Sequence, residues 1–232
     1  MGVETYTTRR GELQQYFDRT AAEAWARLTS TAKVSRIRET VRAGRDRMRA
    51  TLLSWLPEDL SGRRVLDAGC GTGALAVEAA RRGAEVLAVD LSPTLLQHAG
   101  ERLPPTVAGR VRFHAGDMLD PALGRFDHVV AMDSLIHYAA DDMLDALAAL
   151  ASRTSGSIVF TFAPRTPLLS VMHAVGKWFP RADRAPAIEP VAESHLLRGV
   201  DGRADLAGMM PARSQRVHSG FYTSHALELR RR

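Results

Sequence analysis

The stretch Val65-Leu66-Asp67-Ala68-Gly69-Cys70-Gly71-Thr72-Gly73 decides the fold. An apolar run, an acid and three alternate glycines come in succession, and a helical pattern follows over 73–82. A second apolar run, 85–89, then ends in Asp90. Glycine lacks a Cβ, so the turn can be tight and the backbone can approach a ligand closely. An acid that ends the next strand is placed to accept hydrogen bonds from ribose hydroxyls. Strand, glycine turn, helix, strand and acid together suit a cofactor that carries a nucleoside.

The spacing narrows the choice. Nicotinamide and flavin dinucleotide sites use G-x-G-x-x-G, whereas the glycines here read G-x-G-x-G after Asp67-Ala68. No Gly-Lys-Ser/Thr follows, so the turn is not a P-loop. The pattern D-x-G-x-G-x-G resembles motif I of the class I S-adenosylmethionine (SAM) methyltransferases. That resemblance implies a set of cofactor-binding residues. The loop of Asp67, Gly69, Cys70, Gly71 and Gly73 passes under the methionine part of SAM, and Asp90 with Leu91 takes the ribose. Asp117, at the end of the third strand, meets the adenine amino group, with Met118 against the ring. For Asp117 the alternative is a plain turn aspartate. Met132 and Asp133, after the fourth strand, close on SAM. Cys70 is read as a small residue presenting its backbone.

Composition sets the outer limits. The 232 residues suit one domain, or one domain with an appendage, and 45% of them are apolar. A single cysteine excludes an internal disulfide framework and fits a reducing compartment. The first ten residues are polar and lack the apolar core of a signal peptide. No apolar run approaches the ~20 residues that span a bilayer, so a cytoplasmic location is expected. The net charge of +5 comes almost wholly from arginine and favours anionic partners. No basic tract interleaved with aromatic residues is present, and nucleic acid is not an expected partner. The histidines are scattered, without cysteine partners or H-E-x-x-H, so no protein-bound metal is expected.

Along the chain, residues 1–60 read as a helical cap. Leu13, Phe17, Ala21, Trp25 and Leu28 recur at helical steps, and Val34, Ile37, Val41, Met48 and Leu52 mark a second helix that Pro57 ends. Arg38, Arg42, Arg45 and Arg49 form a further stripe, either a solvated face or an anion-facing wall. From 61 to 232 the chain reads as the SAM-binding domain. Strands are predicted at 63–67, 85–89, 110–114, 126–132 and 157–162, and helices at 73–82, 93–102, 134–138 and 141–152. Ser92-Pro93 starts one helix, and Asp141 is the candidate cap of another. Short apolar strands alternating with helices imply a parallel sheet covered on both faces. Residues 163–210 break the rhythm and read as a lid insertion after the fifth strand. Two final strands, near 213–219 and 221–229, complete the sheet. The expected fold is α/β, a doubly wound, mostly parallel seven-stranded Rossmann-like sheet with an N-terminal helical extension.

The flanks carry a sharper resemblance. Tyr16-Phe17-Asp18-Arg19-Thr20, Trp25-Ala26-Arg27-Leu28, Val34-Ser35-Arg36-Ile37-Arg38 and Arg42-Ala43-Gly44-Arg45 precede the glycine loop. Met132-Asp133-Ser134-Leu135-Ile136-His137-Tyr138 and Phe160-Thr161-Phe162-Ala163-Pro164-Arg165-Thr166-Pro167-Leu168-Leu169 follow it. Over residues 14–229 the series resembles the magnesium-protoporphyrin IX O-methyltransferases of (bacterio)chlorophyll synthesis. The implied reaction moves the SAM methyl to the ring-C propionate carboxylate of Mg-protoporphyrin IX. A carboxylate with a reference pKa near 4 is already ionised at neutral pH, so a strong base is unnecessary. His137 is the catalytic candidate, orienting the acceptor or holding a proton. Chloroplast-type relatives carry a tyrosine where Thr29 stands, which makes Tyr16 the substitute candidate. Arg165, Lys177 and Arg181 are candidates to pair with a propionate. Leu168, Leu169, Met172, Trp178 and Phe179 would cover the porphyrin plate, and His173 is a candidate axial ligand to its magnesium. The large porphyrin-binding subunit of magnesium chelatase is an implied partner. The arginine-rich helix and Arg230-Arg231-Arg232 are candidates for peripheral contact with an anionic inner or photosynthetic membrane. Two other readings stand beside this one: a methyltransferase for a quinone or another lipid-like acceptor, and a non-catalytic SAM-fold binding subunit.

Overall fold

The computed structural model describes residues 2–29, 36–165 and 188–232, with the side chains of 5–18, 39–165 and 188–232. Strands β1 (Arg64–Ala68), β2 (Glu85–Asp90), β3 (Val111–Ala115), β4 (Phe126–Ala131) and β5 (Thr154–Phe162) pair in parallel. A terminal hairpin, β6 (Met209–Ser219) and β7 (Tyr222–Arg231), adds β7 antiparallel to β5. Among the described residues these seven form one sheet in the order β3-β2-β1-β4-β5-β7-β6. The helices are α1 (Gly2–Thr29), α2 (Arg36–Ser54), α3 (Ala74–Arg81), α4 (Pro93–Glu101), α5 (Ala140–Ala151) and α6 (Glu193–Gly202).

Alternation along the strands builds two cores. Leu66, Val129, Ile158 and Phe160 face one side and pack with Leu13 of α1, Met143 and Leu147 of α5 and Leu196 of α6. Val65, Val130 and Val159 face the other side and pack with Met48 and Leu52 of α2 and Leu75 and Ala79 of α3. Neighbouring residues of one strand thus enter opposite layers, which is why the strands read as continuous apolar runs. The chain winds outward from β1 to β3, then restarts on the other side at β4. The carboxyl ends of β1 and β4 therefore meet at the topological switch point, where ligands of open α/β sheets sit.

Ser92 caps α4 by accepting from the Leu95 amide at 3.3 Å, with Pro93 in the first turn, as the sequence predicts. Elsewhere the structure departs from the reading. The predicted helix over 134–138 is a single 3₁₀ turn, Leu135–His137. Asp141 does not cap α5; Ala139 holds that position, and Asp141 and Asp142 lie in the first turn, where they complement the helix dipole. Within the insertion 163–210, where the sequence marks no element beyond 190, residues 193–202 form α6 and bury Leu196 and Val200 against α5. Gly199 hides this helix from a propensity reading. A Cβ there would lie 2.4 Å from Leu144 Cδ1, so the glycine is what lets α6 approach α5. Strand β6 starts at 209 rather than 213 because Pro211 sits on a sheet edge, where a register shift between Pro211 and Ser214 accommodates it.

Candidate active site

The glycine loop leaves β1 with Gly69, Gly71 and Gly73 all at positive φ (79°, 53° and 74°). Three anchors to β2 hold that conformation. The amides of Gly69 and Cys70 donate to the Val89 carbonyl at 2.8 and 2.9 Å, and the Gly71 amide donates to Asp90 Oδ2 at 2.7 Å. Asp90 Oδ1 accepts from the Ser92 amide at 3.0 Å. The glycines serve different ends. A Cβ on Gly69 would stand 2.3 Å from Ser134 Cβ, so Gly69 brings the β1 and β4 turns together. A Cβ on Gly71 would meet nothing within 4 Å, which leaves that stretch of backbone open to a ligand.

Two carboxylates lie beneath the loop, Asp67 buried and Asp90 half-buried. Asp67 is 2% exposed, and its Oδ2 lacks a hydrogen-bond partner among the described residues. Burial pushes its pKa up to about 7; the Ala76 amide opposes the shift and the nearby charge of Asp90 adds to it. Burial also raises the pKa of Asp90, against the pull of the Ser92, Gly71 and Leu91 amides. The Cys70 thiol is held far above its ordinary range by burial and by both carboxylates, so it stays protonated and is no nucleophile.

Helix α1 closes the far side. Asp117 accepts from the Tyr6 hydroxyl at 2.7 Å, from Arg10 Nη1 at 2.6 Å and from the Leu119 amide at 2.9 Å. The Tyr6 ring stacks on Tyr138 with centroids 5.0 Å apart. Met118 is buried beside them, and Arg153 donates to the carbonyls of Met118 and Asp120, fixing the turn that carries Asp117.

Asp133, just past β4, is the one non-glycine residue at positive φ (54°) among the described residues. Such a conformation persists only where its surroundings over-determine it. Here the Asp133 amide donates to Thr161 Oγ1 at 2.8 Å, and its carboxylate accepts from Tyr222 (3.1 Å) and Ser224 (3.3 Å). It also pairs with Arg45 Nε at 3.3 Å. One member of the arginine stripe thus faces an acid of the site, while Arg49 pairs with Asp46 on its own helix. Met132 packs against the core on the α2–α3 side of the sheet.

The turn then delivers His137, 8% exposed. Its carbonyl accepts from Arg9 Nε at 2.9 Å, and the Ile136 carbonyl accepts from the Glu189 amide at 2.9 Å. The His137 ring meets Phe17 edge-on at 6.1 Å, and Tyr16 meets Phe17 in the same manner at 5.4 Å. A cavity of about 550 Å³ lies against His137, walled by Thr5, Arg9, Glu12, Tyr138 and Glu189. His128, within β4, bonds Ser157 Oγ at 2.9 Å inside the sheet. Among the described residues, no group of three or more His, Cys, Asp or Glu side chains is placed to hold a metal ion.

The structure thus gathers Asp67, the glycine loop, Asp90, Leu91, Asp117, Met118, Met132, Asp133 and His137 along the carboxyl edge of the sheet, with Tyr16 one ring removed. Arg165 is exposed just beyond β5. Lys177 and Arg181 lie outside the described residues, as do Leu168, Leu169, Met172, His173, Trp178 and Phe179. Tyr6, Arg9, Arg10, Arg153 and Tyr222 escaped the sequence reading. Their partners lie far along the chain, and only the fold brings them together.

Residues 131–231 match the family model described as the C-terminus of magnesium-protoporphyrin IX methyltransferase, and residues 65–155 match a methyltransferase domain. The chain is 54% identical to the magnesium-protoporphyrin O-methyltransferase of Rhodobacter capsulatus, over 97% of this chain and 98% of that protein. It belongs to the magnesium-protoporphyrin O-methyltransferase family. The chloroplastic magnesium protoporphyrin IX methyltransferase of Arabidopsis thaliana is 32% identical over 93% of this chain and 69% of its own length. A crystal structure of the Synechocystis PCC 6803 family member with bound SAH superposes with a TM-score of 0.81, at 26% identity, covering 96% of this chain and 99% of that one.

A pH test follows from Asp67 in this family member. Its folded pKa of about 7 lies above the ordinary carboxylate value of 3.8, so between those values the folded state holds a proton that the unfolded chain releases. The contribution of Asp67 to stability is greatest below that window and is lost as pH rises through it, at most about 1.4 kcal/mol per pH unit. Denaturation of ligand-free protein at pH 5 and pH 8 should show Asp67→Asn gaining stability relative to wild type at the higher pH. Parallel profiles would contradict the assignment.

Proposed function

We propose that this chain transfers the methyl group of SAM to the ring-C propionate carboxylate of Mg-protoporphyrin IX, giving the monomethyl ester and S-adenosylhomocysteine. The observation that carries the reading is the 54% identity, end to end, with a protein named for methylation of magnesium protoporphyrin.

The residues present fit the donor. Asp67 offers a buried, unpartnered carboxylate oxygen, which is costly in isolation and favourable beside a cation. The open backbone at Gly71 gives the donor room, and Asp90 faces the same loop for the ribose. Asp117 and Met118 are assigned to the adenine, and Leu91, Met132 and Asp133 to the walls. When bound, SAM supplies an electrophilic methyl carbon on a sulfonium sulfur; the acceptor oxygen displaces the thioether, so one C–O bond forms, one C–S bond breaks and opposite charges cancel. His137 lies beside the cavity that receives the carboxylate arm and orients it, or takes up its proton to keep it ionised. Holding oxygen and methyl carbon near 3 Å in line accounts for most of the rate. Tyr16, behind Phe17, supports the position of His137. Thr5, Arg9 and Glu12 of the helical cap and Glu189 of the connection wall the cavity assigned to the acceptor.

Two associations belong to the same reading. Docking on the large porphyrin-binding subunit of magnesium chelatase would hand over an insoluble substrate without release. Peripheral contact of an otherwise cytoplasmic protein with anionic membrane is supported by the net charge of +5 and by the exposed Phe221 at the β6–β7 turn. Among the described residues no helix is long and apolar enough to cross a membrane. Salt-sensitive pelleting with anionic vesicles is the expected result; absence of pelleting would remove the membrane contact, and pelleting unaffected by salt would remove its electrostatic basis.

Incubation with SAM and Mg-protoporphyrin IX, followed by mass detection, should yield the monomethyl ester. His137→Ala should lower kcat by roughly 10²-fold or more, the usual scale for a positioned acid–base group. Absence of ester from folded, SAM-binding protein would overturn the acceptor, and an undiminished rate in His137→Ala would remove His137 from the mechanism.

A further inference from the structure

A second cavity, of about 360 Å³, lies beside the first. The two share Ala139 and Glu189 as a common wall, and Ala139 is two residues from His137. Arg165, His195 and Arg198 line the second cavity. They arrive from two directions. Arg165 follows β5, where its amide donates to the Val191 carbonyl at 3.0 Å, and the Val191 amide donates back to the Ala163 carbonyl at 2.8 Å. His195 and Arg198 project from α6, one helical turn apart, and α6 is fixed by the buried Leu196 and Val200. The rim is therefore backbone-anchored on one side and core-anchored on the other.

The charge in this cavity is unspent. Neither Arg165 nor Arg198 has a carboxylate partner among the described residues, whereas Arg9, Arg203 and Arg213 are each paired. The acids nearby are already engaged. Glu189 Oε1 pairs with Arg9 Nη2 at 3.3 Å, and Asp141 Oδ1 faces His195 Nε2 at 3.5 Å. What remains, among the described residues, is a recess with two guanidiniums that no carboxylate holds, and their planar forks match a carboxylate. It stands next to the cavity assigned to the reacting group.

We infer that this second cavity holds the non-reacting propionate of the acceptor, with Arg165 and Arg198 as the specificity-determining pair. The inference rests on the acceptor proposed above, and adds to it a reason for choosing one arm. A dicarboxylic substrate anchored by one arm at the arginines presents the other to His137. An acceptor without a second carboxylate loses that anchor and leaves two guanidiniums unpaired.

The test uses two porphyrins, Mg-protoporphyrin IX and its analogue with the ring-D propionate carried as a methyl amide. Both are assayed with wild type and with Arg165→Ala/Arg198→Ala. Wild type should prefer the dicarboxylate by roughly tenfold or more in kcat/KM, on the scale of a charged hydrogen bond. The double variant should raise KM for the dicarboxylate by a similar factor, keep kcat and SAH affinity, and lose the preference; Arg198→Lys in the single background should restore part of it. A preference retained in the double variant, or absent in wild type, overturns the subsite while leaving the acceptor in place. No ester from either porphyrin with wild type overturns the acceptor, and the subsite with it.

Discussion

The hydrogen bond from the Gly71 amide to the Asp90 carboxylate is the constraint on which the site depends. It joins the turn after β1 to the end of β2, and it holds a loop with three residues in the left-handed region. The same contact keeps the half-buried Asp90 near the buried Asp67, so that two acids sit under one loop. Such a pair is electrostatically unfavourable by itself, and a cation between loop and sheet relieves it. The site without ligand is thus biased toward a positively charged guest before any specific contact forms.

Asp133 plays the corresponding part across the switch point. Its left-handed backbone turns the chain away from β4, and its carboxylate collects groups from α2 and β7 while its amide reaches β5. The N-terminal cap, the terminal hairpin and the central sheet meet at this residue. Movement of any one of them is felt at Ser134 and His137, which follow directly. Helix α1 adds a second tie through Tyr6 and Arg10 on Asp117 and Arg9 on the His137 carbonyl. A cap that touches both the proposed adenine acid and the proposed catalytic turn couples the two halves of the site.

The central fold was legible because its signals are local. Val65–Gly73, Ser92-Pro93 and the apolar runs of β2, β4 and β5 each state their structure within a few residues. Helix α6 was not, because Gly199 and Gly202 lower its propensity and only packing on Leu144 explains the first of them. The start of β6 was hidden by Pro211 for a similar reason. In the site, motif residues were legible as a set, but their partners were not. Arg45 belonged to a stripe with two readings, and its pairing with Asp133 depends on how α2 lies on β7. Tyr6 sits in a polar stretch with nothing to mark it. Arg198, on a helix the sequence did not announce, was invisible for both reasons.

The central claim is that the loop anchored by Asp90 binds the adenosyl donor. Titration calorimetry with S-adenosylhomocysteine tests it most directly, on wild type and on Asp90→Ala checked for an intact fold. Saturable one-site binding by wild type and its loss or severe weakening in the variant is the predicted result. No saturable heat with wild type, or equal affinity in both, would contradict it.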